Sequence, residues 1–342
     1  MDYSAPPAER PPDRVRIGII GTGSHLPAQV VDNAEVGARA GVEDEWIVRK
    51  TGIRTRRYAA EGEATSDLAA AAALAALDDA GLPASRLDHI IVATSTPDHP
   101  QPATAAIVQH LIGADGVPAF DVNSVCSGFL FALNTAAALL RDGGHALVVG
   151  ADIYSRIIDP ADRRTAVLFG DGAGAVVLGP VSEPHGLVAT SMRTHGMHHR
   201  MIEVPNGGSR TPSRVRPADD PGHYFTMDGR AVREFVTDQL PLAVKDLLRK
   251  ADATEAEVQH FIPHQANGRM LRDIAPSLGL DAARHHLVVD ELGNTGAASV
   301  PIALDIANRA GNLRPGDGVL MSAFGGGMSI GSALLRWGGR LW

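Results

Sequence analysis

The feature that most constrains this chain is that it repeats itself. RIGIIGTGS, beginning at Arg16, finds a counterpart in GLVATSMRT, beginning at Gly186. The segment ending LPASRLDHI pairs with VKDLLRKADATEAEVQHF, so that His89 matches His260. HALVVG matches DGVLMS, and PAFDV matches HLVVD. The offsets all lie at about 168–172 residues, half of a 342-residue chain. Chance similarity between two strand–helix units is common, but four matches at nearly one spacing mark a duplicated supersecondary unit. Two similar halves are therefore expected, 14–182 and 183–342, packed into one body without a low-complexity linker. A Pro-rich arm, 1–13, precedes them and is expected to be disordered.

Local patterns say what each half contains. RVRIGII reads as a strand ending at Gly21, and SDLAAAAALAALDDAG as an Ala-rich helix with Gly81 at the C-cap. HIIVATS, PAFDV and HALVVGAD read as short buried strands, and AVVLG as another after the glycines of FGDGAG. Alternation of this kind means α/β, with a largely parallel sheet covered by helices.

Composition narrows the function classes. A 44% hydrophobic chain can bury a large core, and a net charge of −8 argues against nucleic acid or an anionic membrane surface as partner. No apolar run approaches the about 18 residues that a membrane span needs, and the N-terminus lacks the apolar region of a secretory signal. One cysteine cannot form an internal disulfide, which fits the cytoplasm.

That cysteine, Cys126, lies in AFDVNSVCSGFLFALNTAAALL, where a strand gives way to a helix. Free N–H groups and the dipole at a helix start favour a thiolate, lowering the thiol pKa from about 8.5. The bland alternative is a small buried hydrophobe. His264, in HFIPHQANGRML, follows a strand end, although most of the 14 histidines must be ordinary. Asn294, in GNTGAAS, offers an amide to an oxyanion or simply a turn. By the repeat, the loop of Asn294 corresponds to the loop of Cys126, so a Cys-His-Asn set from equivalent strand ends would converge near the pseudo-twofold axis. That is more specific than any one member. His195, His198, His199, His285 and His286 show no metal-ligand spacing, and no metal site is expected.

Glycine motifs point away from nucleotides. GIIGTGSHLP lacks the third glycine of a dinucleotide fingerprint and has Pro27 where the helix should begin, while Gly170–Gly174 precede a strand. FGGGMSIGSALL reads as a tight turn between two strands, with backbone N–H groups open to a ligand.

VNSVCSGF, IPHQAN, GNTGAASVP and AFGGG, in this order and spacing, resemble the signature blocks of β-ketoacyl-acyl-carrier-protein synthase III, a family of the thiolase superfamily. GTGSHLP, DEWIVRKTGIRTR and FGDGAGAVVLG are also similar to its segments, so the likeness covers about residues 15–337. It implies a thiolase-like α/β fold, with duplicated βαβαβ halves in five αβαβα layers. It implies that Cys126 takes an acyl group from acyl-CoA, with its own N–H and that of Gly326 as oxyanion hole. His264 and Asn294 would hold a malonyl thioester as it decarboxylates, beside apolar Phe324. Trp46 and Arg163 would sandwich the adenine of coenzyme A, with Lys50 and Arg54 nearby. Acyl-CoA and the malonyl thioester are substrates, with no permanently bound cofactor. A homodimer is implied, and an acyl carrier protein as a further partner.

Departures from the family pattern bear on specificity. Gln101 stands where a Phe often reaches across the dimer into the partner's acyl pocket, which puts a plain acetyl primer in doubt. Arg269 keeps one member of the basic carrier-docking patch, but Glu234, Pro276 and Ser277 stand where Lys is common. Arg230 and Arg233 either restore part of that charge or bind a carboxylated substrate. The first reading is decarboxylative Claisen condensation. The alternative moves the Cys-bound acyl group to a hydroxyl or amine, with His264 as general base. A non-catalytic dimer partner is disfavoured by the full Cys-His-Asn set, and a nucleotide-dependent oxidoreductase by the glycine contexts.

Overall fold

A computed structural model describes residues 15–338, so the Pro-rich arm lies outside the described residues. The first half runs β1 (Ile17–His25), α1 (Asp44–Thr51), α2 (Thr65–Ala80), β2 (His89–Ala93), α3 (Thr104–Leu111), β3 (Ala119–Val122), α4 (Gly128–Leu139), β4 (Ala146–Asp152) and β5 (Gly172–Pro180). Its sheet has the order β1-β5-β4-β2-β3. The second half runs β6 (Gly186–Thr194), α5 (Gly229–Ala251), β7 (His260–Pro263), α6 (Gly268–Ile274), β8 (Arg284–His285), α7 (Ser299–Arg309), β9 (Gly318–Gly325) and β10 (Ser329–Arg336). Its sheet order, β6-β10-β9-β7-β8, repeats the first strand for strand. The expected division at 182/183 falls in the connection between β5 and β6.

The sheets are mixed rather than largely parallel. In each, one strand pairs parallel on both sides, β2 with β3 and β4, and β7 with β8 and β9. The remaining pairings, β1·β5, β4·β5, β6·β10 and β9·β10, are antiparallel. β9 returns directly through a tight turn into β10, and an antiparallel return needs no crossover helix.

Three strand boundaries differ from expectation. β1 does not stop at Gly21 but continues to His25, with a register shift between Ile19 and Gly21. The glycines are there for a neighbour: a Cβ on Gly23 would run into the backbone of α2 at Ala72 and Ala76, and one on Gly21 would sit 2.7 Å from Ala80 N. The Ala-rich helix and the glycine-bearing strand are thus one close-packing device, not a phosphate loop. β5 begins at Gly172, inside the glycine run. HLVVD supplies no strand, because pairing stops at His285 and a short helix, Val289–Leu292, follows.

The layering follows from strands buried on both faces. Ile91, Ala93 and Val148 of one sheet and Val319, Met321 and Ala323 of the other enclose Phe129 and Leu133 of α4 and Val300 and Leu304 of α7. The alternate residues Ile90, Val92 and Leu147 face Leu68 and Leu77 of α2 and Val108 of α3. Phe261 and Leu320 face Val236 and Leu240 of α5 and Ile274 of α6. Helices, sheet, helices, sheet and helices make five layers. Each fully buried Leu, Ile or Phe contributes roughly 1.5–3 kcal/mol. Among the described residues no helix is long and apolar enough to cross a membrane.

Candidate active site

The two central helices carry the site at their N-terminal ends. β3 stops at Val122, and a short turn, Val125–Ser127, leads into α4 with Cys126 at its centre. Val125 holds a left-handed backbone, φ 48°. For a β-branched residue that is strained, and surrounding contacts must hold it. Val125 N–H donates to Asn123 Oδ1 at 3.1 Å. The hydroxyls of Ser124, Ser127 and Ser329 lie 2.7–3.0 Å from one another, tying this elbow to the turn between β9 and β10. Gly325 closes the other side, where a Cβ would stand 2.7 Å from Cys126 N.

Burial reverses the expected thiol chemistry. Cys126 is 6% exposed. Its pKa is pushed up to about 12, by burial first and then by the charge of Asp152, against smaller help from the Tyr154 hydroxyl. The short turn at the helix start does not overcome the loss of water.

His264 directly follows β7, and its ring is 1% exposed. Burial pushes its pKa down to about 3, so the ring is neutral at physiological pH. Nδ1 lies 2.7 Å from Ser299 Oγ, which also accepts a long bond from Gln265 N–H at 3.4 Å. A serine that accepts there and donates to Nδ1 leaves Nε2–H as the free donor. Phe324 stands edge-on to the ring, centroids 5.2 Å apart. Asn294 lies before α7; its Oδ1 accepts Gly296 N–H at 3.0 Å, leaving the Nδ2 donor for a ligand. Its backbone N–H donates to Leu168 O at 2.8 Å, and its carbonyl accepts from Gly170 N–H at 3.0 Å, so the fork of the two halves fixes it.

These groups meet in one cavity of about 280 Å³ lined by Cys126, His264, Asn294, Phe324 and Gly325, and by Trp46, Lys50, Arg163, Arg233 and Arg269. Gly326 is not part of this lining; its α-carbon faces Val125 and Ile202. Arg163 Cζ lies 6.0 Å from the Trp46 ring centroid. A ring seated between them needs two stacking distances of about 3.5 Å each, so the exposed Arg163 must swing outward to admit one. Arg54 is exposed in a separate depression with Asp32, Glu45 and Arg49. Gln101 is exposed in the loop before α3, outside this cavity.

The basic residues are largely spoken for. Arg233 and Arg269 share the carboxylate of Asp273, at 2.8 and 3.1 Å, and Arg230 pairs with Glu234 at 2.9 Å. Pro276 and Ser277 occupy the exposed turn after α6. His195 and His198 stand edge-on to Phe235. His285 Nε2 lies 3.2 Å from Leu280 O. His286 Nε2 meets His260 Nδ1 at 3.0 Å, and His260 meets Asp317 at 3.0 Å. Among the described residues no group of three or more His, Cys, Asp or Glu is arranged to hold a metal.

Sequence reasoning missed the wall beside Cys126. Tyr154 Oη lies 4.0 Å from Cys126 Sγ, with the ring stacked on Phe169 at 4.4 Å and edge-on to Phe225 at 5.6 Å. Behind it stand Ser95 and the fully buried Asp152. The only sequence signal was position, since Tyr154 and Ser95 follow the ends of β4 and β2.

Residues 120–196 match the family model described as 3-oxoacyl-[acyl-carrier-protein] synthase III, residues 248–337 its C-terminal model, and residues 48–157 the thiolase N-terminal domain. The chain is 55% identical to the acetoacetyl CoA synthase NphT7 of Streptomyces sp. (strain CL190), covering 94% of this chain and 99% of that one. It is 46% identical to the β-ketoacyl-[acyl-carrier-protein] synthase III of Bradyrhizobium diazoefficiens, over 95% and 99%. The crystal structure of 3-oxoacyl-[acyl-carrier-protein] synthase III from Aquifex aeolicus superposes with TM-score 0.86 at 38% identity, covering 94% of this chain and all of that one.

Proposed function

The chain belongs to the 3-oxoacyl-acyl-carrier-protein synthase III family of condensing enzymes, and on that premise we propose that it joins a short acyl group, held on Cys126, to a malonyl thioester with loss of carbon dioxide. The observation that carries this reading is the convergence of Cys126, neutral His264 and Asn294 on one cavity.

In the first step Cys126 attacks the carbonyl of acyl-CoA, the carbonyl oxygen being held by the N–H of Cys126 and that of Gly326 in the adjoining turn. The acyl group passes to sulfur, and CoA leaves carrying the thiol proton. Trp46 and Arg163 grip the adenine, with Lys50 available to phosphate, whereas Arg54 stands in the separate depression and has no part in this step. In the second step His264 Nε2–H and Asn294 Nδ2 donate to the thioester oxygen of the malonyl group. The apolar face of Phe324 disfavours its carboxylate, and carbon dioxide departs. The resulting enolate attacks the acyl-Cys carbonyl; collapse releases the Cys126 thiolate and a β-ketoacyl thioester.

Two features sharpen the substrate. The Tyr154–Phe169–Phe225 stack fills the space beside the sulfur, which supports acetyl as the acyl group despite Gln101. Asp273 neutralises half the charge of Arg233 and Arg269, which favours malonyl-CoA over a strongly acidic carrier protein as acceptor. Transfer to a hydroxyl or amine is not favoured, because an imidazole with a pKa near 3 is too weak a general base. The enzyme is proposed to act as a homodimer, with Gln101 reaching toward the partner's acyl pocket. It works in a reducing compartment such as the cytoplasm, since its nucleophile must stay a free thiol.

The test is direct. Acetyl-CoA should add an acetyl group to the intact protein, visible by mass spectrometry and absent in Cys126→Ala. Malonyl-CoA should then release carbon dioxide and yield acetoacetyl-CoA. No adduct, or one that persists in Cys126→Ala, overturns the reading.

A further inference from the structure

We propose that Tyr154 is a positioning residue for the nucleophile, its hydroxyl turning to donate to Cys126 Sγ whenever that sulfur is anionic, through a hydroxyl chain anchored on Asp152. The proposal rests on Cys126 as the nucleophile and adds a group to its activation.

The chain is continuous: Cys126 Sγ to Tyr154 Oη is 4.0 Å, Tyr154 Oη to Ser95 Oγ 3.0 Å, and Ser95 Oγ to Asp152 Oδ1 3.0 Å. The phenol cannot swing away, because Phe169 and Phe225 clamp its ring and it is fully buried. The loop of Asn294 closes on it from the third side. Gly296 holds φ +58°, and any Cβ there would collide with the Asp152 carboxylate and the Tyr154 ring.

Counting protons gives the chain two directions. With a thiol, Ser95 donates to Asp152, Tyr154 donates to Ser95, and the S–H faces Tyr154 Oη. With a thiolate, sulfur can only accept. Tyr154 then turns its proton to Sγ, and Ser95 turns its own to Tyr154. Asp152 stays satisfied in both arrangements, because Ser95 N–H at 2.8 Å, Thr94 Oγ1 at 3.2 Å, Thr96 Oγ1 at 3.0 Å and Ala297 N–H at 2.8 Å still donate to it. Tyr154 and Ser95 each keep one proton throughout. The thiol proton departs with the CoA sulfur during acylation, and the same Tyr154 bond receives the thiolate released after condensation. Hydrogen bonds to charged groups are the strong ones, which is why a single hydroxyl matters here. The other charged or titratable groups around the sulfur are Asp152 behind Tyr154 and His264 across the cavity. Lys50, Arg163, Arg164, Arg233 and Arg269 line the same cavity.

The test needs no acyl donor. The rate of Cys126 alkylation by iodoacetamide is followed against pH in the wild-type enzyme and in Tyr154→Phe, which keeps the ring and loses the hydroxyl. The expected result is an upward shift of about one unit in the apparent thiol pKa, so alkylation at pH 8 slows about tenfold. Thermal unfolding reports separately on the fold. Wild-type enzyme made with 3-fluorotyrosine, whose phenol is the stronger donor, should shift the other way. A Tyr154→Phe profile that coincides with wild type overturns the proposal. If that variant does not fold, an unshifted fluorotyrosine profile overturns it instead. Acetylation by acetyl-CoA with no alkylation shift sinks this proposal alone, whereas a shift without acetylation sinks the function and leaves the hydroxyl chain standing.

Discussion

His264 shows how much a residue's chemistry belongs to its surroundings. As an isolated imidazole it titrates near pH 6.5, but burial brings it to about 3, and Ser299 orients what remains. The decarboxylation step should therefore show no loss of rate from His264 protonation between pH 5 and 8, measured as carbon dioxide release from malonyl-CoA. In the proposed mechanism Asn294→Ala removes one of two donors to the developing enolate. It should lower decarboxylation by about 10²–10³-fold while self-acylation of Cys126 falls far less; equal losses would refute the division of roles. At Cys126 and Tyr154 the sequence told only half. The strand-to-helix position singled out the cysteine and left burial as the alternative reading, and only the structure shows that burial prevails and raises its pKa. Nor did ADIYSR reveal that its tyrosine stands 4.0 Å from that sulfur.

At the scale of elements, glycines and alanines are placed where backbones meet. GTGSHLP looked like a broken nucleotide loop, and it is a strand, β1, whose glycines admit α2. Gly23→Ala would drive a methyl group into the α2 backbone at Ala72 and Ala76. A cost of at least about 1–3 kcal/mol, the usual range for overpacking, is expected and is measurable as a lower midpoint of urea unfolding. The capping glycine of α2 was legible, since Gly81 does adopt the left-handed conformation after Ala80. HLVVD was not: its apolar run suits a strand, yet β8 ends at His285 because Val289–Leu292 turns into the loop that carries Asn294. There the demands of the site override local preference.

At the scale of the whole molecule, burying neutral histidines makes stability depend on acid. The unfolded chain protonates His264 below about pH 6.5, whereas the folded chain resists until about 3. Between those values the unfolded state binds the extra proton, so stability falls as pH falls. The slope from this one group is up to about 1.4 kcal/mol per pH unit. His286, lowered to about 4 by burial and then by the charge of His260, Arg284 and His285, adds to it. Thermal unfolding should therefore shift steeply downward from pH 6 to pH 4, and His264→Asn should flatten that dependence. A variant with the wild-type slope would assign acid sensitivity elsewhere.

The duplication, the order of strands and helices, and the place of the single cysteine at a strand-to-helix junction were determined by the sequence itself, because each is written in spacing and in short-range hydrophobic pattern. The mixed direction of the sheets, the meeting of residues 126, 264 and 294, the closure of Tyr154 on the sulfur and the reversal of the thiol's acidity were decided only by the tertiary structure. The physical reason is that each depends on which backbones approach and how much water they exclude, and those are properties of segments that only the fold brings together.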